Sequence, residues 1–295
     1  MEKKVFVFLA DIKASRKASI DDRFSMQQKL SIVIEGLNMI FSSEMESPLM
    51  FSSGDSVQCL FKNPAASLRC YLLLSALFSP YDIRAGIGAG SINDKIYEED
   101  KKDGEINTNF LDGLAYHLAR KALDIAKAFD ARVLVISGEF RQNQIINNAL
   151  MEANTYRNRL SRKQAKLLAL CEILNPILSA EESAIYSRHF IDLLSLFHID
   201  ETAFTQYMRK EMLYQDLFEI YEKGRQMQFE RETFEDSFPI FHADIMPRNT
   251  DVYLAKIFDV SSQNIWLLKK RGDMDTIRTL ELLAVRTFGG LGNND

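Results

Sequence analysis

Two periodicities run through this chain and divide it. Val5-Phe6-Val7-Phe8-Leu9 is a short apolar run of β-branched and aromatic residues, which predicts a buried strand. From Asp21-Asp22 onward, Phe24, Leu30, Val33, Ile34, Leu37, Ile40 and Phe41 recur at helical spacing and predict the first helix. Leu49-Met50-Phe51 and the run from Val57 to Phe61 then flank Ser53-Gly54-Asp55. Glycine frees the backbone there and aspartate bonds locally, so the pair reads as a hairpin. Pro64 opens a second helix through Phe78, and Pro80 stops it. In the strand from Ile83 to Gly90, glycines occupy positions 86, 88 and 90, an alternation that predicts close approach of a backbone or a ligand. The polar stretch from Asn93 to Asn109 reads as a loop, Leu114 to Phe129 as an amphipathic helix, and Val133 to Ile136 as a closing strand.

The order β-α-β-β-α-β predicts an α+β fold, a ferredoxin-like antiparallel sheet with two helices on one face. From about Asn143 the sequence turns helix-favouring as far as Glu235. A looser segment from Asp236 to Asn249 leads to a last helical unit from Thr250 to Thr287. The expected division is an α/β sandwich domain over 1–150 and an all-helical domain over 151–295. The aromatics Phe190, Phe197, Phe204, Tyr207, Tyr214, Phe218 and Tyr221 are expected in a core or dimer surface.

Composition narrows the class. At 295 residues, 46% hydrophobic and 26% charged, the chain reads as globular, with room for two domains. Its apolar stretches fall short of the 18 or so residues that a membrane span requires. A net charge of -5 exerts no global pull on nucleic acid, so DNA binding has to rest on a local basic patch. Cys59, Cys70 and Cys171 lie in apolar stretches without CxxC spacing, which predicts reduced, buried thiols and a cytoplasmic protein.

The candidate chemistry sits at two strand ends, in Ala10-Asp11-Ile12 and Ser53-Gly54-Asp55-Ser56. If the first strand lies beside the hairpin, Asp11 and Asp55 reach one sheet edge. Mg²⁺ or Mn²⁺ takes such ligands, one or two carboxylates plus phosphate oxygens. Arg84, at a strand start, is a candidate phosphate partner. The structural alternatives stay open: a strand-end Asp, a turn-filling Asp and an Arg whose stem merely covers apolar surface.

Leu9 to Ile12, Ser53 to Phe61, Arg84 to Gly90, Asp112 to Ala122 and Val133 to Ile136 together resemble a degenerate class III nucleotidyl cyclase domain. More closely they resemble the SatD family, over about half of the chain. The resemblance implies metal roles for Asp11 and Asp55 and a site built across a homodimer. Where cyclases carry an Asn and, one turn later, a transition-state Arg, this chain has His117 and Lys121. These become the catalytic candidates, and Lys121 also a candidate for phosphate. Where cyclases place a base-reading Lys before the hairpin Gly-Asp, Ser52-Ser53 stand instead. Nucleotide binding therefore survives these changes better than cyclase activity does.

The same resemblance implies a helix-turn-helix, expected over about 250–286. Leu254 to Ser261 reads as its first helix and turn and Ser262 to Arg271 as a recognition helix, capped by Ser262. Gln263 and Asn264 are then placed for base edges, and Lys269, Lys270 and Arg271 for phosphates. A turn of this type favours Gly near position 259, where this chain has Asp259. The basic cluster from Arg157 to Gln164 resembles the family's opening helix, which makes about 175–245 a helical insertion. The expected function is a ligand-responsive regulator: a degenerate cyclase-like nucleotide- or metal-binding domain joined to a helical DNA- or partner-binding domain. The alternatives are an active metal-dependent nucleotidyl cyclase or transferase, and a structural dimerisation scaffold.

Overall fold

A computed structural model describes residues 4–13, 19–53, 56–92, 113–195, 246 and 250–290, with backbone alone at 53 and 190–195. Asp55, the loop expected from 93 to 109 and the insertion's aromatics beyond 195 lie outside the described residues, as does the side chain of Phe190. Five strands form one sheet: β1 (Val5–Ile12), β2 (Met45–Ser53), β3 (Ser56–Phe61), β4 (Ile83–Gly90) and β5 (Val133–Ile136). Between them run α1 (Ile20–Ile40), α2 (Pro64–Phe78) and α3 (Leu114–Ala128). The sheet order is β2-β3-β1-β4-β5, with β1 antiparallel to both β3 and β4. That is the ferredoxin-like arrangement expected of β-α-β-β-α-β. β5 is the departure from a wholly antiparallel sheet, because α3 carries the chain back to pair it parallel to β4.

The period of two along β1 builds two cores. Phe6, Phe8, Ala10 and Ile12 pack with α1 and α2, while Val5, Val7 and Leu9 pack with Ala115, Tyr116, Ala119 and Leu123 of α3. On α1, Leu30, Val33, Ile34, Leu37 and Ile40 are buried as expected, but Phe24 stands 60% exposed. Both sheet edges end on helix asparagines. Asn38 of α1 accepts from the Leu49 N–H at 2.7 Å and donates to its carbonyl at 3.0 Å. Asn147 does the same for Val135 of β5, with both bonds at 2.8 Å. Each amide supplies the donor and acceptor of an absent neighbouring strand, which blunts the edge.

After β5 the described chain is helical: α4 (Phe140–Asn158), α5 (Arg162–Leu174), α6 (Ala180–Ser195), α7 (Asp251–Phe258), α8 (Ser262–Arg271) and α9 (Met274–Gly289). α9 returns against α4 and α2, and Phe288 meets Phe6 edge to face at 5.9 Å. Arg157 ties α4 to α5 and α9 through Glu172 and Glu281. All three cysteines are buried and unpaired, as their apolar settings predicted, and burial raises their thiols. Among the described residues, no helix is long and apolar enough to cross a membrane.

Lys29 of α1 is buried at 6% exposure, with Nζ donating to the Ser79 carbonyl and lying 5.9 Å from the Tyr81 ring centroid. Burial lowers its pKa from 10.5 to about 8. The native state therefore holds this proton less tightly than the unfolded chain. Stability from this group rises with pH between about 8 and 10.5, and below pH 8 the whole penalty, about 3 kcal/mol, is present. Lys29→Met removes the penalty but leaves the Ser79 carbonyl unpaired, so a net gain of about 1–2 kcal/mol is expected at pH 7. Urea unfolding at neutral and alkaline pH tests this. The variant's advantage should shrink above pH 8, and an advantage that stays constant with pH contradicts the assignment.

Candidate functional site

On β1 the residues facing α3 are Val5, Val7 and Leu9, and Asp11 is next in that series. Register places Asp11 opposite Arg84 of β4 and Ser56 of β3. Directly opposed residues share a face, so Asp11 and Arg84 stand side by side at the sheet rim. α3 begins over the Gly90 end of β4, after Gly113 at φ 146°, and runs toward the Arg84 end. Its descent is close because Gly86 and Gly88 carry no side chain. A Cβ at Gly88 would lie 2.2 Å from the Ala119 nitrogen. The alternating glycines thus admit a backbone, the first of the two causes expected.

This close course brings Lys127, in the last turn of α3, to Asp11, with Nζ 2.6 Å from Oδ2. Asp130, just beyond the helix at φ 53°, accepts from Lys13 at 2.9 Å and from Arg84. Those hydrogen bonds, that from Lys13 first, hold its carboxyl below the usual carboxylate range. Three cations therefore face two carboxylates at one rim. The second oxygen of Asp11, Oδ1, is buried and has no hydrogen-bond partner among the described residues. A buried acceptor left unpaired costs about 1–3 kcal/mol, more when charged. The arrangement can accept one further donor or cation at Oδ1 and an anion at the lysines and arginine.

The metal expectation meets this geometry in part. Oδ1 of Asp11 is an oxygen of the type a hard cation takes, but Lys127 holds its neighbour, and no group of three or more acidic, His or Cys side chains suited to a metal occurs among the described residues. Ser56, which pairs with Asp11, is the residue next to Asp55. His117 and Lys121 lie on the exposed side of α3, one turn apart, whereas Tyr116 and Leu123 line its sheet-facing side. Within one chain they do not meet Asp11. Lys13, Lys127 and Asp130 were not singled out from the sequence. Continuing the Tyr116 and Leu123 stripe by one turn reaches Lys127, but only the direction of α3 across β1 turns that stripe into a contact.

In the helical part, α7 and α8 are joined by residues 259–261. Asp259 takes the left-handed conformation, φ 48°, which explains why glycine is favoured at such a position. Ser261, one residue before the expected Ser262, caps α8 by accepting from the Asn264 N–H. Gln263, Asn264 and Arg271 are exposed, and Lys270 lies 4.8 Å from the Trp266 ring centroid. Lys269 is placed differently. Its side chain is 12% exposed and bonded to Asp251 at 2.6 Å, so it braces α8 against α7.

Comparison with known proteins gives one match to a family, the SatD family, over residues 6–219. The match extends well beyond the half of the chain in which the motifs lie. No curated protein matches. Among solved structures, a bacterial light-regulated adenylyl cyclase is similar at 14% identity and TM-score 0.32, over 46% of this chain and 43% of that one. The guanylyl cyclase Cya2 is similar at 13% identity and TM-score 0.29, over 42% of this chain and 73% of that one. The chain thus matches less than half the length of the first of these.

Proposed function

The chain belongs to the SatD family, and from that premise we propose that its sheet rim at Asp11 binds a nucleotide together with a divalent cation and acts as a ligand-responsive element. The supporting observation is Oδ1 of Asp11, a buried carboxylate oxygen with no hydrogen-bond partner among the described residues, beside Lys13, Arg84 and Lys127. Such an oxygen gains most from a cation, and the three basic groups neutralise phosphate. Bound Mg²⁺ or Mn²⁺ would supply charge neutralisation to the phosphates, with Asp11 as one of its oxygen ligands. Lys127 is the residue that has to give way, exchanging Asp11 for a phosphate oxygen. Because Lys127 ends α3, that exchange is felt along a helix seated on β1 and β4.

A response to ligand is favoured over turnover because His117 and Lys121 face away from Asp11 in the same chain. Phosphoryl transfer would require a second copy to present them. The outlet of the response is the helical part, whose exposed α8 residues Gln263, Asn264, Lys270 and Arg271 are available to DNA or a protein partner. Titrating Mn²⁺ with each nucleoside triphosphate into wild type and Asp11→Asn tests the rim. At a hundredfold excess over the dissociation constant, a ligand of the native state stabilises it by about 2.7 kcal/mol. The variant is expected to bind at least about tenfold more weakly, since a charged contact is lost. Equal binding by the two proteins would remove Asp11 from the site.

A further inference from the structure

We infer that a second anion site, for a compact diphosphate group, lies in the cleft between the end of α2, the lead into β4, α4 and α5. The cleft measures about 250 Å³, and its walls carry Arg132, Arg157, Arg162 and Lys166 against only two carboxylates, Asp82 and Glu172. Pockets for whole organic ligands run from about 300 to 1,000 Å³. This one suits a small polyanion better than a complete nucleotide.

Both arginines at the inner end are held in place on one side and open on another. Arg157, 12% exposed, donates from Nε to Glu281 at 2.9 Å and from Nη2 to Glu172 and Glu281. Its Nη1 makes no hydrogen bond to the described residues. Arg132 donates to Asp82 at 2.8 Å and weakly to Ser75 at 3.4 Å, with Nε making no hydrogen bond to the described residues. A guanidinium fixed in this way presents its remaining N–H groups with little further loss of side-chain freedom. Arg132 thus matches Asp82, while Arg157 is shared between Glu172 and, behind the wall, Glu281.

The outer lip adds two further cations to the lining. Arg162 and Lys166 are four residues apart on α5 and share a face of its first turns. Arg162 is exposed and has no carboxylate partner among the described residues. The positive end of the α5 dipole adds to their field. Behind the wall, Lys29 bonds the carbonyl of Ser79, itself a lining residue, and places one more cation beneath the cleft. One phosphoryl group between the arginines and a second at the lip would use both sets of donors. The basic cluster noted from Arg157 onward in the sequence is, on this reading, one wall of a pocket.

The site is separate from the rim at Asp11, so separate variants address it. Calorimetric titration of pyrophosphate and inorganic phosphate, without metal, uses wild type, Arg162→Ala/Lys166→Ala and Lys127→Ala. Urea unfolding confirms that the double variant is folded. Wild type should bind one pyrophosphate, about tenfold more tightly than phosphate, the double variant at least about tenfold more weakly, and Lys127→Ala as wild type does. No saturable binding to wild type overturns the inference, as does unchanged binding by the folded double variant. Loss of binding in Lys127→Ala, with the folded double variant binding as wild type does, would move the anion to the rim, ending this inference while leaving the rim proposal standing.

Discussion

Gly88→Ala is expected to destabilise the protein by about 3 kcal/mol or more, the upper end of what overpacking does. A Cβ at this position would lie 2.2 Å from the Ala119 nitrogen and 2.3 Å from the Ala115 carbonyl oxygen, both main-chain atoms of α3. No side chain can rotate aside, so the helix has to lift from the sheet. Lifting opens the cluster of Val5, Val7, Leu9, Tyr116 and Leu123. It also draws Lys127 from Asp11, so the variant should weaken ligand binding at the rim as well. Gly138→Ala is the control, since nothing lies within 4 Å of the added carbon. Urea unfolding of the two variants decides the matter. A Gly88→Ala protein within about 1 kcal/mol of wild type would mean that α3 yields more easily than its contacts indicate.

Removing Glu182 should be as damaging. Arg69 of α2 donates to it from Nε at 2.8 Å and Nη2 at 2.7 Å, and the side chains are 10% and 1% exposed. Glu182 also accepts from the Ser179 N–H at 2.8 Å, so one carboxylate both anchors α6 to α2 and satisfies the start of α6. Glu182→Ala leaves a buried guanidinium uncompensated, for which a loss of about 3–5 kcal/mol is expected. Arg69→Met combined with Glu182→Leu should lose much less, about 1–2 kcal/mol, because no buried charge remains and only the Ser179 N–H lacks its partner. A double variant as unstable as the sum of the singles would show that the pair acts through separate contacts.

Not every pattern in the sequence mapped onto structure equally. The run from Val5 to Leu9 and the helix from Pro64 to Phe78 emerge with the expected bounds or within a few residues of them. Asn63 capping α2 and Pro64 at its first position are local signals, complete within a few residues. The candidate site was half legible. Asp11 could be found because a charge ends an apolar run, and the alternating glycines because a bare strand face needs a reason. Lys127, Asp130 and Lys13 carry no local mark, being charged residues in exposed-looking positions. The recognition-helix reading put Lys269 toward phosphate, and Asp251 holds it instead.

By itself the sequence determined the period of each segment, hence which elements form and which face of each is apolar. Those preferences arise between residues two to four positions apart and need no knowledge of the rest of the chain. Only the tertiary structure decided the charge partners: Asp11 with Lys127, Arg69 with Glu182, Arg157 with Glu172 and Glu281. A charge has no periodicity of its own. Its partner is set by the direction in which one helix crosses one strand, and that direction follows from the packing of whole faces and the gap left by two glycines.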